Sequence, residues 1–414
     1  MVTKTQVAIV GGGLAGLCCA IELQRRGIDY HLYEAADRVG GRIKTDTVDG
    51  YLLDHGFQVL QKAYQEASQV LNYDTLDLHS FQPGSLIRCQ NRFCGLYDAF
   101  RQPSLLVATV LSPAASLSDK LNILKLRWKL LRQAEDECWS QPETTTLEYL
   151  RQAGFQEKII ERFFRPFLSG IFLEKNLETS SRMFEFIFRI FSQDDAALPA
   201  NGMEAIPRQL STYLLPERLH CNKPVKQAGP KQLVCEDGEE VQAKAVVLAV
   251  DQANAAPLCG QPKPERQCSV ICEYFATKKH KPKPAILYLN GTGQGLINNL
   301  CFPSEAAPSY APHGQQLVSV SIVGQCNLSD AERIAALRRE LTEWFGEEAQ
   351  TWQHLRSYPI HHALPSQRHI PAEPPHPRLE EGLYACGDYR WYASINAAML
   401  SGKQTAQAII EDLR

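Results

Sequence analysis

Apolar residues in this chain follow two rhythms, and the change from one to the other marks its elements. Val7, Ala8, Ile9 and Val10 form the continuous apolar run that a parallel strand covered on both faces requires. A glycine turn follows, then apolar positions at helical spacing from Leu14 to Arg26, closed by Gly27. Ile28 to Tyr33 reads as a second strand and delivers Glu34. Gly50 to Leu60 alternates around Asp54-His55-Gly56, as a strand entering a tight turn does. Leu117, Leu121, Leu124, Trp128 and Leu131 recur at helical spacing, with Lys120, Lys125, Arg127, Lys129 and Arg132 crowded between them against one acid, Asp119. That pattern has two readings, a core helix with a solvated basic side or a helix lying on an anionic membrane surface.

Nine of the sixteen phenylalanines fall between Phe155 and Phe191, which suits either an aromatic cavity for a large apolar molecule or the core of a helical subdomain. Pro166 and Gly170 are expected to break this stretch into short helices. Val225 to Val250 reads as three strands joined at Gly229-Pro230 and Asp237-Gly238. Gln261–Gln267 and Lys278–Pro284 are linkers rich in proline and charge, and Ala285 to Gly324 is strand-like. Gly291, Gly293 and Gly295 lead into no helix, so a hairpin turn is the reading there and no NAD(P)H is expected. Ser329 and Glu332 form a capping box for a helix through Phe345, with Gly346 at its end. Six prolines between Pro359 and Pro377 predict an irregular crossing. A short strand from Leu383 to Cys386 and a helix from about Ile395 to Asp412 complete the chain.

Composition narrows the class. A chain of 414 residues exceeds the usual domain size of about 100–200, so two or three domains are expected. A net charge of −3 without a strongly basic half argues against nucleic-acid binding. Thirteen cysteines without a C-x-x-C pair suggest reduced, buried thiols in a cytoplasmic protein, and no zinc site is expected. No signal peptide is read, and no apolar run approaches the roughly 18 residues of a membrane-spanning helix, so a soluble or peripheral protein is expected.

The chemistry begins at Gly11, Gly13 and Gly16, a G-x-G-x-x-G between strand and helix. Gly11 permits the tight turn, Gly13 the approach of a pyrophosphate, and Gly16 close packing of helix on strand. The helix start at Leu14 and Ala15 presents free N–H groups to anions. Glu34 stands eighteen residues beyond Gly16, where it accepts hydrogen bonds from ribose hydroxyls and repels a 2′-phosphate. Arg38, Gly40, Gly41, Arg42 and Thr45 follow, a second glycine turn with two guanidinium groups beside the same phosphates; a solvated pair of loop arginines is the other reading. Such charge-assisted contacts suit FAD, which is buried along its whole length, better than a dissociable nicotinamide cofactor.

The pattern E-x-x-x-R-x-G-G-R-x-x-T at Glu34 to Thr45 resembles the flavin-containing amine oxidase superfamily, which includes the amine oxidases, protoporphyrinogen oxidase and the phytoene desaturases. RPFLSGIF at Arg165, LPANGMEAIPRQL at Leu198 and LYACGDYRWYASINAAMLSGKQTA at Leu383 resemble further segments of that superfamily, so the likeness spans nearly the whole chain. It implies an α/β protein: a Rossmann-like FAD-binding domain from residues 1–80, 200–262 and 375–414, an inserted mixed-sheet substrate domain from 81–100 and 263–374, and a helical subdomain over 101–199. It places FAD contacts at Glu34, Arg38, Gly41 and Arg42, adenine beside Val225, and the flavin chain at Gly387 and Asp388, the latter bonding ribityl hydroxyls. The helix start around Ser394, Ile395, Ala397 and Ala398 would face the pyrimidine edge of the ring, with the alanines small enough to let it pass. His55 would lie beside the ring, although a histidine bonded within its own turn fits equally; His361 and His362 are further candidate bases.

Ser394 departs from the amine oxidases, which the resemblance expects to carry an aromatic residue there as one wall of a cage; Tyr389, Trp391 and Tyr392 lie just upstream as substitutes. The expected function is therefore FAD-dependent dehydrogenation of a hydrophobic small molecule by hydride transfer to flavin N5. The alternatives are an amine oxidase releasing imine and peroxide, an FAD-dependent isomerase without net redox, and a flavin-free prenyl-carrier module like the Rab escort proteins.

Overall fold

The computed structural model of the protein describes residues 2–262, 267–279 and 283–414. The charged cores of the two expected linkers, 263–266 and 280–282, lie outside the described residues. The apolar run at the start of the chain becomes the strand Val2–Val10, paired in parallel with Tyr30–Tyr33 on one side and Glu240–Leu248 on the other. Leu219–His220 extends this parallel core beyond Tyr30–Tyr33, and Leu383–Ala385 joins it beyond Val246–Leu248. The three-strand run after Val225 forms as read, with Val225–Gly229, Gln232–Cys235 and Glu240–Leu248 pairing antiparallel to close one edge. Helices cover the sheet, and the two that matter most, Leu14–Arg25 and Ile395–Asp412, pack against each other although they lie at opposite ends of the sequence.

A second, seven-stranded sheet draws Gly84–Cys89 and Arg92–Tyr97 together with strands between Gln267 and Pro365. Its ladders are antiparallel except where Leu287–Leu289 runs parallel to Gly84–Cys89. The Gly291–Gly295 segment joins Leu287–Leu289 to the antiparallel Asn299–Cys301, so it is a hairpin connection. Asp330–Phe345 starts at the Ser329 capping box and ends at Gly346.

Two expectations need correction. The proline-rich crossing begins later than read, because Gln353–Pro365 is a continuous strand that pairs Pro359 with Ile271. It lies at the end of the sheet order, where a missing N–H on the outer side breaks no ladder. Gly170 does not interrupt its helix either; it lies inside Arg165–Phe172, where a Cβ would come within 2.8 Å of Asn299 Oδ1. Its role is close approach, and only Pro166, in the first turn, acts as an element boundary.

The helical segments between Pro103 and Gln193 complete the molecule. Ser181–Gln193 is strongly amphipathic, with Phe184, Phe186, Ile187 and Ile190 buried.

Candidate functional site

A single continuous cavity of about 1580 Å³ runs from the glycine turns, past the start of the last helix, to the phenylalanine-rich helices. Gly11, Gly13, Leu14, Ala15, Glu34, Gly40, Gly41, Arg42 and Val225 line one end of it. Gly387, Asp388, Ser394, Ile395 and Ala398 line its middle, and His55, His361 and His362 also reach it. Residues from all parts of the sequence thus meet around one space.

The first glycine turn is built by close approach. A Cβ on Gly16 would stand 2.0 Å from the carbonyl oxygen of Gly11, so no side chain is tolerated where the helix leaves the strand. Gly13 faces Gly41 across the second turn, and the N–H of Gly40 donates to the carbonyl of Gly12 at 2.9 Å. Glu34 ties the two turns together, its carboxylate accepting from the N–H of Gly12 at 2.6 Å and of Ala36 at 2.8 Å. A carboxylate has about four acceptor positions, so capacity remains for hydroxyl donors in the cavity.

The two arginines separate. Arg42 lines the cavity, donates to the carbonyl of Ala363 at 2.8 Å and pairs with Asp388 at 2.6 Å. Burial works against its charge, but the Asp388 carboxylate outweighs this and holds its pKa above the ordinary value. Arg38, expected beside the same phosphates, instead turns to Glu204 at 3.0 Å and Asp46 at 2.9 Å, where it fastens the second glycine turn to the neighbouring elements.

Asp46 is the centre of a further group. It accepts from His55 Nε2 at 3.0 Å, Tyr358 hydroxyl at 2.9 Å and Arg38, and these donors overcome burial to set its pKa below the usual carboxylate range. His55 therefore bonds the neighbouring strand of its hairpin through its ring, and Tyr358 packs over it at 4.7 Å between centroids. His361 and His362 project from the edge strand with exposed side chains.

At the last helix, Ser394 Oγ caps the N–H of Ala397 at 2.9 Å. The N–H groups of Ile395 and Asn396 have no carbonyl behind them in the helix and are the donors this terminus offers. Ala398 lines the cavity, whereas Ala397 is buried on another side of the helix and does not. Nor do the three upstream aromatics form a cage. Tyr392 is buried against Trp139 and Phe186, Trp391 donates to the carbonyl of Pro371, and neither they nor Tyr389 line the cavity.

Two residues on the cavity wall escaped the sequence reading. Asp251 follows the strand Glu240–Leu248 and caps the next helix through Ala253 and Asn254 N–H, close enough to Arg42 to support its charge. A strand end followed by an acid was the available signal. Gln61, in the short strand Leu60–Gln61, is buried with no partner for its Oε1 among the described residues, and a lone glutamine carries no sequence signal.

Residues 14–410 match the family of flavin containing amine oxidoreductases. The chain belongs to that family. It is 25% identical over 169 residues to protoporphyrinogen oxidase 2 of Arabidopsis thaliana, a stretch covering 41% of this chain and 33% of that protein. It is 41% identical over 51 residues to 4,4'-diapolycopen-4-al dehydrogenase of Metabacillus indicus, covering 12% of this chain and 10% of that one. The matched stretches thus span a third or less of these relatives' length. In fold it is similar to putrescine oxidase bound to putrescine, with a TM-score of 0.72 at 16% identity over 99% of this chain and all of that one. An oxidoreductase from Methanosarcina mazei gives 0.75 at 17% identity, over 99% of this chain and all of that one.

The cofactor of this flavin-containing amine oxidoreductase is FAD, and the residues present suit it. The facing glycine turns leave room for a pyrophosphate beside the N-terminus of Leu14–Arg25, with Arg42 at hand for its charge. Glu34 remains available to ribose hydroxyls, and Ile395 and Asn396 offer N–H donors to an electron-rich ring edge.

Proposed function

We propose that this oxidoreductase dehydrogenates a large, apolar organic molecule, of the extended polyene or tetrapyrrole kind. The observation that supports this most is the far arm of the cavity, walled by Phe163, Phe167, Ile187, Phe188 and Phe191. The whole space of about 1580 Å³ exceeds the roughly 300–1,000 Å³ of an ordinary ligand pocket, leaving room for a second large molecule beside a dinucleotide. Bound FAD supplies the two-electron acceptor that takes a hydride from the substrate, while a proton leaves to a base.

The chain's own part is to bind, orient and keep water out. The phenylalanine wall favours apolar surface and offers ring faces for stacking. His55 lines the cavity with its ring held by Asp46 and Tyr358, so it is the histidine of the three whose orientation is fixed. A cationic amine finds little to hold it there. Asp98 is paired with Arg127, Asp194 with Lys62 and Asp195 with Arg101, so these cavity carboxylates are already neutralised. The aromatic residues upstream of Ser394 turn away as well.

Anaerobic mixing with candidate substrates tests the reading by loss of the yellow flavin absorbance. Polyenes or reduced tetrapyrroles should bleach the flavin, and putrescine or monoamines should not. Bleaching by amines with none by apolar compounds would overturn it, and an unchanged product mass without bleaching would favour an isomerase.

A further inference from the structure

The helix at Leu117–Arg132 forms as the sequence predicts, but its apolar stripe is not in the core. Leu126 and Leu130 pack inward, while Leu117 is 66% exposed and Trp128 61%, with Leu121, Leu124 and Leu131 also exposed. The preceding short helix, Leu106–Leu111, has no buried residue; Val107 is 67% exposed and Leu111 76%. The two helices form one surface, because Lys120 Nζ in the second donates to the carbonyls of Val110 and Ser112 at the end of the first, both at 2.8 Å. Arg127 reaches back over the exposed ring of Phe100, 5.1 Å from its centroid. A contiguous apolar surface of this extent is unusual on a protein facing water alone.

We propose that this helix pair is a docking surface for an anionic lipid bilayer. Charge selects that occupant. Of the six basic side chains in residues 99–134, Arg101, Arg127 and Lys129 are paired with Asp195, Asp98 and Glu185, while Lys120, Lys125 and Arg132 have no ion-pair partner among the described residues. Asp119 is buried as the helix cap, whereas Lys125 and Arg132 are exposed beside the apolar stripe. Lys125 makes no ion pair among the described residues, and Arg132 lies over the Trp128 ring. Apolar side chains at the acyl boundary with cations at headgroup level are what an interfacial helix needs, and a neutral apolar partner would leave those cations without a counter-charge. Among the described residues no helix is long and apolar enough to cross a membrane, so the contact is with one face of the bilayer.

The position of the patch gives it a use. Leu106, Val110 and Leu124 are exposed on this surface and also line the large cavity. Docking sets that cavity mouth against the lipid, so an apolar molecule passes from bilayer to cavity without crossing water. This delivery step rests on the apolar-substrate reading above; docking itself does not, and the experiment below measures docking without substrate.

The FAD-loaded protein is floated with vesicles of phosphatidylcholine alone and of phosphatidylcholine mixed with phosphatidylglycerol. Flotation is expected with the mixed vesicles, weaker with the neutral ones, and reduced by salt. Leu111→Asp with Leu121→Asp, which alters neither the cavity lining nor a buried side chain, should lower the bound fraction by about tenfold or more while flavin absorbance is kept. Lys125→Glu with Arg132→Glu should abolish the preference for anionic vesicles. The proposal fails if the native protein floats with neither vesicle, or if the double aspartate variant floats as the native protein does. It fails equally if the native protein is a dimer that this variant splits and neither form floats.

Discussion

Asp54 ends the strand that precedes His55, and its carboxylate is wholly enclosed. It accepts from the Thr45 hydroxyl at 2.6 Å, the Met203 N–H at 3.0 Å and the Tyr310 hydroxyl at 2.8 Å. Burial nonetheless prevails over these donors and raises its pKa from 3.8 to about 6. Between those two values the folded protein keeps a proton that the unfolded chain has released, so stability falls as pH rises through the window and levels off above it. Asp54→Asn preserves an acceptor for Thr45 and Met203 and removes the charge. Relative to this variant, the native protein should lose up to roughly 3 kcal/mol of unfolding free energy between about pH 4 and pH 7. Urea unfolding at both pH values checks this; curves that move in parallel would show that Asp54 titrates normally.

At the level of elements, the first and last helices approach more closely than any side chain allows. A Cβ on Gly402 would lie 2.1 Å from the carbonyl oxygen of Ala15, in the first turn of the helix that faces the phosphate cradle. The obstacle is backbone, so relief means moving that helix. Gly402→Ala should cost about 3 kcal/mol and loosen flavin retention, read as a lower Tm and faster flavin release. Gly170→Ala meets the side-chain amide of Asn299 rather than backbone, at 2.8 Å instead of 2.1 Å, and should cost nearer ~1 kcal/mol. Equal effects would refute the distinction between backbone and side-chain contact. The same contrast explains what the sequence could reveal. Gly11, Gly13 and Gly16 were legible because their reason is local, a turn between adjacent strand and helix. Gly402 was not, since its neighbour lies at the other end of the chain. Periodicity likewise identified Leu117, Leu121, Leu124, Trp128 and Leu131 as one face of a helix, but a period says which residues share a face and nothing about what covers it.

Across the whole molecule, the two terminal motifs meet in one ion pair. Arg42 and Asp388 are 346 positions apart in sequence yet 2.6 Å apart in space, so each motif was readable alone while their contact was not. The pair sits on the cavity wall between the glycine turns and the last helix, with Asp388 nearly inaccessible and Arg42 open only to the cavity. Removing Asp388 leaves Arg42 without its counter-charge, but Arg42 faces the cavity and is screened by solvent there, so the cost in the flavin-free protein is about 1 kcal/mol. Asp388→Ala should therefore lower the Tm of the flavin-free protein modestly. A bound dinucleotide brings a pyrophosphate whose negative charge can take over as counter-ion, and ligand binding adds its own stabilisation to the native state. The Tm gap between flavin-loaded and flavin-free protein should then be wider in Asp388→Ala than in the native chain. Parallel thermal melts of both proteins with and without FAD measure the two gaps, and a narrower gap in Asp388→Ala would mean that the bonds Asp388 itself makes to the cofactor outweigh the counter-charge that Arg42 gains.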